Sequence, residues 1–214
     1  MLRACSAPDR PQSEVSDRAI AWLAFAANLL FWPLMFAMAA LRPNYSHLHQ
    51  AISELGSYGA PRMWLWNVLG YIIPGILLAV FGWCFVRRIR PRSLIAAGLL
   101  ALAGVFLAVS GAFPADMADR AGPATRLHLV GLMGSALAWL PAMIVVAVLA
   151  WRPRRDVAIA CVVALLAMVG AFGLYGVMPE TPALVQRISF GVFFGWYLAA
   201  ALLLLKPGSR LPPG

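Results

Sequence analysis

The chain has 214 residues, of which 62% are hydrophobic and only 12% charged, with a mean hydropathy of +0.81. Soluble domains carry about 25% charged residues, so a water-soluble core is excluded and the composition is that of an integral membrane protein folding as one domain. The net charge of +9 does not point to nucleic acid, because the basic residues stand in short clusters at the ends of apolar runs, where membrane topology places them.

Residues 1–18 are polar, mixed in charge and Pro-containing, and are expected to form a disordered cytoplasmic tail. Ala19 to Leu41 is the first apolar run. Ala37-Met38-Ala39 has the look of a signal-peptidase site, but the run before it is too long for a signal peptide's apolar region. Five further runs follow: Met63–Val86, Ser93–Phe113, Leu127–Trp151, Val157–Val177 and Ile188–Leu205. Each lacks Asp, Glu, Lys and Arg and reaches the length a helix needs to cross a hydrocarbon core of about 30 Å. Pro33, Pro74 and Pro141 fall within spans, where they are expected to kink helices. The predicted fold class is therefore all-α: a transmembrane domain over residues 19–206 made of six transmembrane helices, followed by a second cytoplasmic tail at 207–214. Cys5, Cys84 and Cys161 form no even pairing or CxxC motif, so neither a disulfide framework nor a metal site is expected.

Six spans put both termini on one side of the membrane. The loops RRIRPR and WRPRRD, together with the tails, hold 12 of the 17 cations, against 5 on the other side. That bias predicts cytoplasmic termini. Trp64 and Trp66 are then expected in the outer aromatic belt, and Trp83 and Trp151 in the inner one. All three histidines (His47, His49, His128) fall on the extracytoplasmic side, with Glu54, Asp116, Asp119 and Glu180. Any site is expected there.

The longest polar segment lies between spans one and two. Tyr45, Leu48, Ile52 and Leu55 recur as one helical stripe, with Ser46, His47, Gln50, Ser53 and Glu54 opposite. Asn44 is placed to cap and Gly56 to end a short extracytoplasmic amphipathic helix. Its polar face either simply meets water or contributes to a site. On such a helix His47 and His49 point about 200° apart, so no metal is assigned to them.

Spans one, three and five end alike, in Leu41-Arg42-Pro43-Asn44, Ala112-Phe113-Pro114-Ala115-Asp116 and Val177-Met178-Pro179-Glu180. Arg126 and Arg187 then stand at the entries of spans four and six. The pattern points to three related helical hairpins. Asp116 and His128 are candidates for an acid–base pair, the carboxylate fixing the imidazole tautomer. Arg187 is a candidate partner for Glu54, Asp116 or a lipid phosphate. The alternative is a salt-bridge network that pins the hairpin ends.

Ile52-Ser53-Glu54-Leu55-Gly56, with Pro43 and Tyr45 before it and Pro61 and Asn67 after it, resembles the opening motif of a bacterial and archaeal membrane family, the domain of unknown function numbered nine-nine-eight. Phe113-Pro114-Ala115-Asp116 resembles its second motif, His128 its lone histidine and Arg187 the arginine opening its last helix. The resemblance runs from about Trp22 to Leu205. The family often has Glu before that arginine where this chain has Gln186. The resemblance implies a six-helix protein of the bacterial inner membrane with polar groups gathered at the outer side, and no activity.

Three functions follow as expectations. One is a non-enzymatic protein binding a lipid headgroup or a membrane-protein partner through Ser53, Glu54, Asn67, Arg126 and Arg187. The second is an intramembrane lipid hydrolase or transferase with Asp116 and His128 as catalytic pair and Ser53 as nucleophile; no GxSxG or HExxH motif accompanies them. The third is a small-molecule transporter, which the absence of charge from mid-span disfavours. Membrane lipids are the expected partners, and no cofactor is implied.

Overall fold

The computed structural model describes residues 12–90 and 92–206, and every regular element among them is helical. Six helices are long and apolar enough to cross a membrane: α1 (Gln12–Ala40), α2 (Met63–Ile89), α3 (Leu94–Ala112), α4 (Pro123–Ala150), α5 (Arg155–Val177) and α6 (Pro182–Leu205). The protein is a multi-pass membrane protein.

Helix ends differ from the limits of the apolar runs because the backbone ladder does not stop where side chains become polar. α1 begins at Gln12, so residues 12–18 are helical instead of tail. Asp17 pairs with Arg88 at 3.2 Å, which fastens this extension to the end of α2. The remaining tail residues, 1–11 and 207–214, lie outside the described residues. α4 and α6 each start on a proline whose fixed φ suits a first turn, after Gly122 and Thr181. Arg126 and Arg187 therefore lie inside helices, not at their mouths.

Each helix packs on the next in sequence, and α1 also packs on α6, so the bundle closes into a ring. Three connections (41–62, 113–122 and 178–181) gather at one end, called here the loop end. The short arginine-bearing turns lie at the other, the arginine end. Aromatic side chains fill the centre. Phe31 of α1 stacks on Phe194 of α6 with ring centroids 4.3 Å apart, and Trp139 of α4 meets Trp196 of α6 edge-on at 6.1 Å. Trp66, expected in an aromatic belt, instead joins this core and is fully buried; Trp64, Trp83 and Trp151 are exposed.

α2, α3 and α4 touch backbone to backbone. A Cβ on Gly75 would meet Ala108 N at 2.5 Å and Gly104 O at 2.6 Å, so glycine is required at this crossing, as at close helix interfaces in membranes. Gly170, Gly173 and Gly176 of α5 have nothing within 4 Å to approach. Pro33 and Pro141 sit inside continuous helices. Pro74 instead follows a π-helical segment over Asn67–Ile72, where Ile73 N donates to Val68 O. The widened turn accommodates a residue that has no N–H to give the ladder.

Candidate functional site

The 41–62 connection folds over the loop end, but not as the expected amphipathic α-helix. Helix is present only as a 3-10 turn at Ile52–Gly56, and Asn44 takes a left-handed φ of 63° instead of capping. Polar side chains take the backbone donors that a helix would use. Ser46 N donates to Gln50 Oε1 at 2.8 Å, Ala51 N to Glu54 Oε1 at 3.0 Å, and Ile52 N to Gln186 Oε1 of α6 at 2.9 Å. The Ile52-Ser53-Glu54-Leu55-Gly56 motif is thus a clasp. Ile52 and Leu55 are buried, and Asn67 Nδ2 donates to Gly56 O at 2.7 Å. A Cβ on Gly56 would meet Trp66 Cδ1 at 2.5 Å and Asn67 Oδ1 at 2.6 Å, which explains the glycine. Ser53 is buried in the same turn.

Beneath this clasp lies Arg187, only 8% exposed. Its Nε donates to His47 Nδ1 at 3.2 Å, and its NH1 to Gln50 O at 3.0 Å and Ala183 O at 2.8 Å. Its NH2 donates to Tyr45 Oη at 2.6 Å. All four acceptors are neutral, and Arg187 forms no ion pair among the described residues. The expected pairing with Glu54 or Asp116 is not formed. Glu54 is occupied within its own turn, by Ala51 N and by Gln50 Nε2 at 3.1 Å.

The neutrality of these partners has physical causes. Burial raises the Tyr45 phenol above its ordinary value, so it stays protonated beside Arg187. Burial first, and then the Arg187 charge, hold His47 below its ordinary value, so its Nδ1 remains an acceptor. His49 donates from Nδ1 to Glu180 O at 2.9 Å and pins the loop to the α5–α6 connection. His47 and His49 face different partners, and no group of three or more His, Cys, Asp or Glu able to hold a metal occurs among the described residues.

Arg42 lies on the same tyrosine. Its guanidinium carbon is 5.8 Å from the Tyr45 ring centroid, against 5.7 Å for Arg187, and its NH1 donates to Glu54 O at 2.6 Å. Next to it opens a pocket of about 220 Å³ lined by Arg42 and Arg62 with Met38, Leu41, Leu55 and Pro61. No acidic residue lines it. Arg62 adopts a left-handed backbone, φ 56°, at the start of α2, a conformation that costs a non-glycine residue about 1 kcal/mol. Neither Tyr45 nor these two arginines stood out in the sequence as site residues. The αL arginine has no local sequence signal, and Arg42 was visible only as the residue before the proline of the first span's exit.

The second hairpin is built differently. Asp116 does not reach His128. Its Oδ1 accepts from Ala118 N at 2.9 Å and Asp119 N at 3.2 Å, closing a local turn. Thr125 Oγ1 accepts from Asp116 N at 2.9 Å and lies 3.1 Å from the carbonyls of Asp116 and Asp119. His128 is buried, and its Nδ1 donates to Ser110 O at 2.7 Å, with Phe113 O at 3.1 Å. Its tautomer is therefore set by backbone, and Nε2 is buried with no hydrogen-bond partner among the described residues. The Tyr71 ring stands edge-on to it at 5.9 Å, with the buried Trp66 ring 5.4 Å from Tyr71 on its other side. Arg126 is exposed. Of the residues expected in one site, Ser53, Glu54, Asn67 and Arg187 come together, whereas Asp116, Arg126 and His128 belong to a separate hairpin.

The model of the family described as protein of unknown function (DUF998) matches residues 25–203, the whole ring of helices. The chain belongs to the DUF998 family. No curated protein and no solved structure matches it. The residues by which the sequence resembles DUF998 now have structural roles: Ile52 to Gly56 form the clasp, Arg187 holds the loop, and His128 ties α4 to the end of α3. Gln186, just before Arg187, serves through its neutral Oε1 as acceptor for Ile52 N.

Proposed function

We propose that this DUF998 protein binds the phosphate-bearing headgroup of a membrane lipid at its loop end, in the pocket between Arg42 and Arg62. One observation carries the reading: two guanidinium groups and four apolar side chains line a single pocket that has no acidic residue. Guanidinium forks suit phosphate oxygens, while Met38, Leu41, Leu55 and Pro61 suit the start of an acyl chain. The left-handed backbone of Arg62 supports it, since strain of this kind gathers at ligand clamps. Arg187 keeps Tyr45 and the loop in place behind the pocket, so its role in binding is to position. The arginine bias of the opposite end supports an inner-membrane protein with cytoplasmic termini and an extracytoplasmic pocket.

The catalytic reading finds no support in the geometry. Asp116 Oδ1 accepts from Ala118 N and Asp119 N, His128 Nδ1 donates to Ser110 O, and no hydrogen bond joins the two residues among those described. Native mass spectrometry of the purified chain with phosphatidylglycerol and with phosphatidylcholine tests the proposal, using Arg62→Gly. This variant is expected to be as stable as wild type or more so, because glycine accepts the left-handed turn, while anionic-lipid binding falls about fivefold. Unchanged binding in a folded Arg62→Gly protein would overturn it.

A further inference from the structure

At the arginine end, carboxylates and arginines do not balance. Asp17 pairs with Arg88. Asp156 takes Arg154 by two bonds, from Nε and NH2, both 3.0 Å. Arg154 also donates from NH2 to Leu203 O at 2.9 Å and is itself buried, so this pair closes α5 against α6. Asp17 and Asp156 are thereby taken. Arg90, Arg92 and Arg152 are exposed and form no ion pair among the described residues.

These three cations surround one feature. A groove of about 570 Å³ runs between α4 and α5, with Ile144, Val148, Val162 and Leu165 among its walls and Arg90 and Arg152 at its rim. An adjoining recess of about 450 Å³ shares Arg90 and Leu149 with it and adds Arg92 and Ser93. Arg90 leans across α4, its Nε 3.4 Å from Leu149 O. Trp151 stands half-exposed at the rim, with the Arg155 guanidinium 5.5 Å from its ring, an interfacial aromatic placement. The walls face lipid: Ile144 and Val148 are 52% and 71% exposed.

We infer that this groove is a second lipid site, for a phospholipid carrying two phosphodiester groups. The acyl chains lie along the α4–α5 walls, one phosphate sits between Arg90 and Arg152, and the other in the recess at Arg92. Charge complementarity selects the occupant. Three arginines without carboxylates, spread over two adjoining recesses, exceed what one monoanionic headgroup neutralises, and basic pockets between transmembrane helices take dianionic lipids of this kind. The site stands apart from the loop-end pocket and does not rest on it.

The test is native mass spectrometry of the full chain titrated separately with cardiolipin, phosphatidylglycerol and phosphatidylcholine. Wild type is expected to bind cardiolipin at least about tenfold more tightly than phosphatidylglycerol. The Arg90→Ala/Arg152→Ala double variant should lose about 30-fold in cardiolipin affinity, near fivefold per arginine. Arg18→Ala/Arg87→Ala removes the same charge from exposed residues that line neither the groove nor the recess and should lose less than about twofold. Equal losses in the two double variants would reduce the effect to net charge and overturn the proposal. So would equal affinity for cardiolipin and phosphatidylglycerol. Arg62→Gly should leave cardiolipin binding here unchanged, so either lipid site can fail without the other.

Discussion

Arg126 and Arg187 occupy corresponding places in the second and third hairpins, each in the first turns of a helix that follows a Pro-containing exit. One is exposed; the other is buried under four hydrogen bonds. The difference does not come from their own hairpins, which are alike in sequence. It comes from the 41–62 connection, which lies over α6 and supplies Tyr45, His47 and Gln50 O, while no comparable segment covers Arg126. A repeated motif thus supplied equivalent side chains, and one long loop decided which of them became interior.

The strongest way to break the comparison is to truncate both arginines. Arg187→Ala is expected to lower stability by about 2–4 kcal/mol, because Tyr45, His47, Gln50 O and Ala183 O lose a charged donor together. Arg126→Ala should stay within about 0.5 kcal/mol of wild type. Thermal unfolding in detergent measures both, and similar losses would refute the asymmetry. Next in size is Gly56→Ala, expected to cost about 1–3 kcal/mol by driving a methyl into Trp66 and Asn67, with the loop becoming protease-sensitive while the bundle stays folded.

A smaller effect is set by pH. His47 has a native pKa below its ordinary 6.5, so the unfolded chain binds its proton first as pH falls. The stability contributed by neutral His47 is complete above 6.5 and is lost as pH falls through the lowered native value. Protonation also removes the acceptor for Arg187 Nε. The acid loss should vanish in His47→Gln; if that variant keeps the full pH dependence, another group is responsible. The smallest effect is expected at the tyrosine of α2 that faces His128. Tyr71→Phe removes a fully buried hydroxyl beside the Trp66 indole and is expected to change stability by less than about 1 kcal/mol. A large loss would mean that this hydroxyl has a partner in the membrane.

The six spans were legible because each is an apolar run of spanning length, and no polar context competes with helix inside lipid. The ends were not. Pro123 and Pro182 start helices ahead of the hydrophobic limits, and periodicity in Tyr45, Leu48, Ile52 and Leu55 read as helix what Ser46, Gln50 and Glu54 turn into side-chain-bonded turns. Arg187 was visible as a cation without an acidic neighbour in sequence, but three of its four partners lie more than 130 residues away. Asp116 and His128 were near in sequence and stayed apart, because an aspartate after a helix end finds backbone N–H groups sooner than an imidazole.

That long separation also orders events in time. The clasp is synthesised with the first hairpin, yet the side chain that fastens it, Arg187, belongs to the last helix, 142 residues after Tyr45. During vectorial synthesis the 41–62 segment therefore remains unlatched until α6 enters the bundle and closes the ring against α1. Maturation of the loop end is a reporter of complete insertion, and a chain stopped after α5 has every other span without the latch.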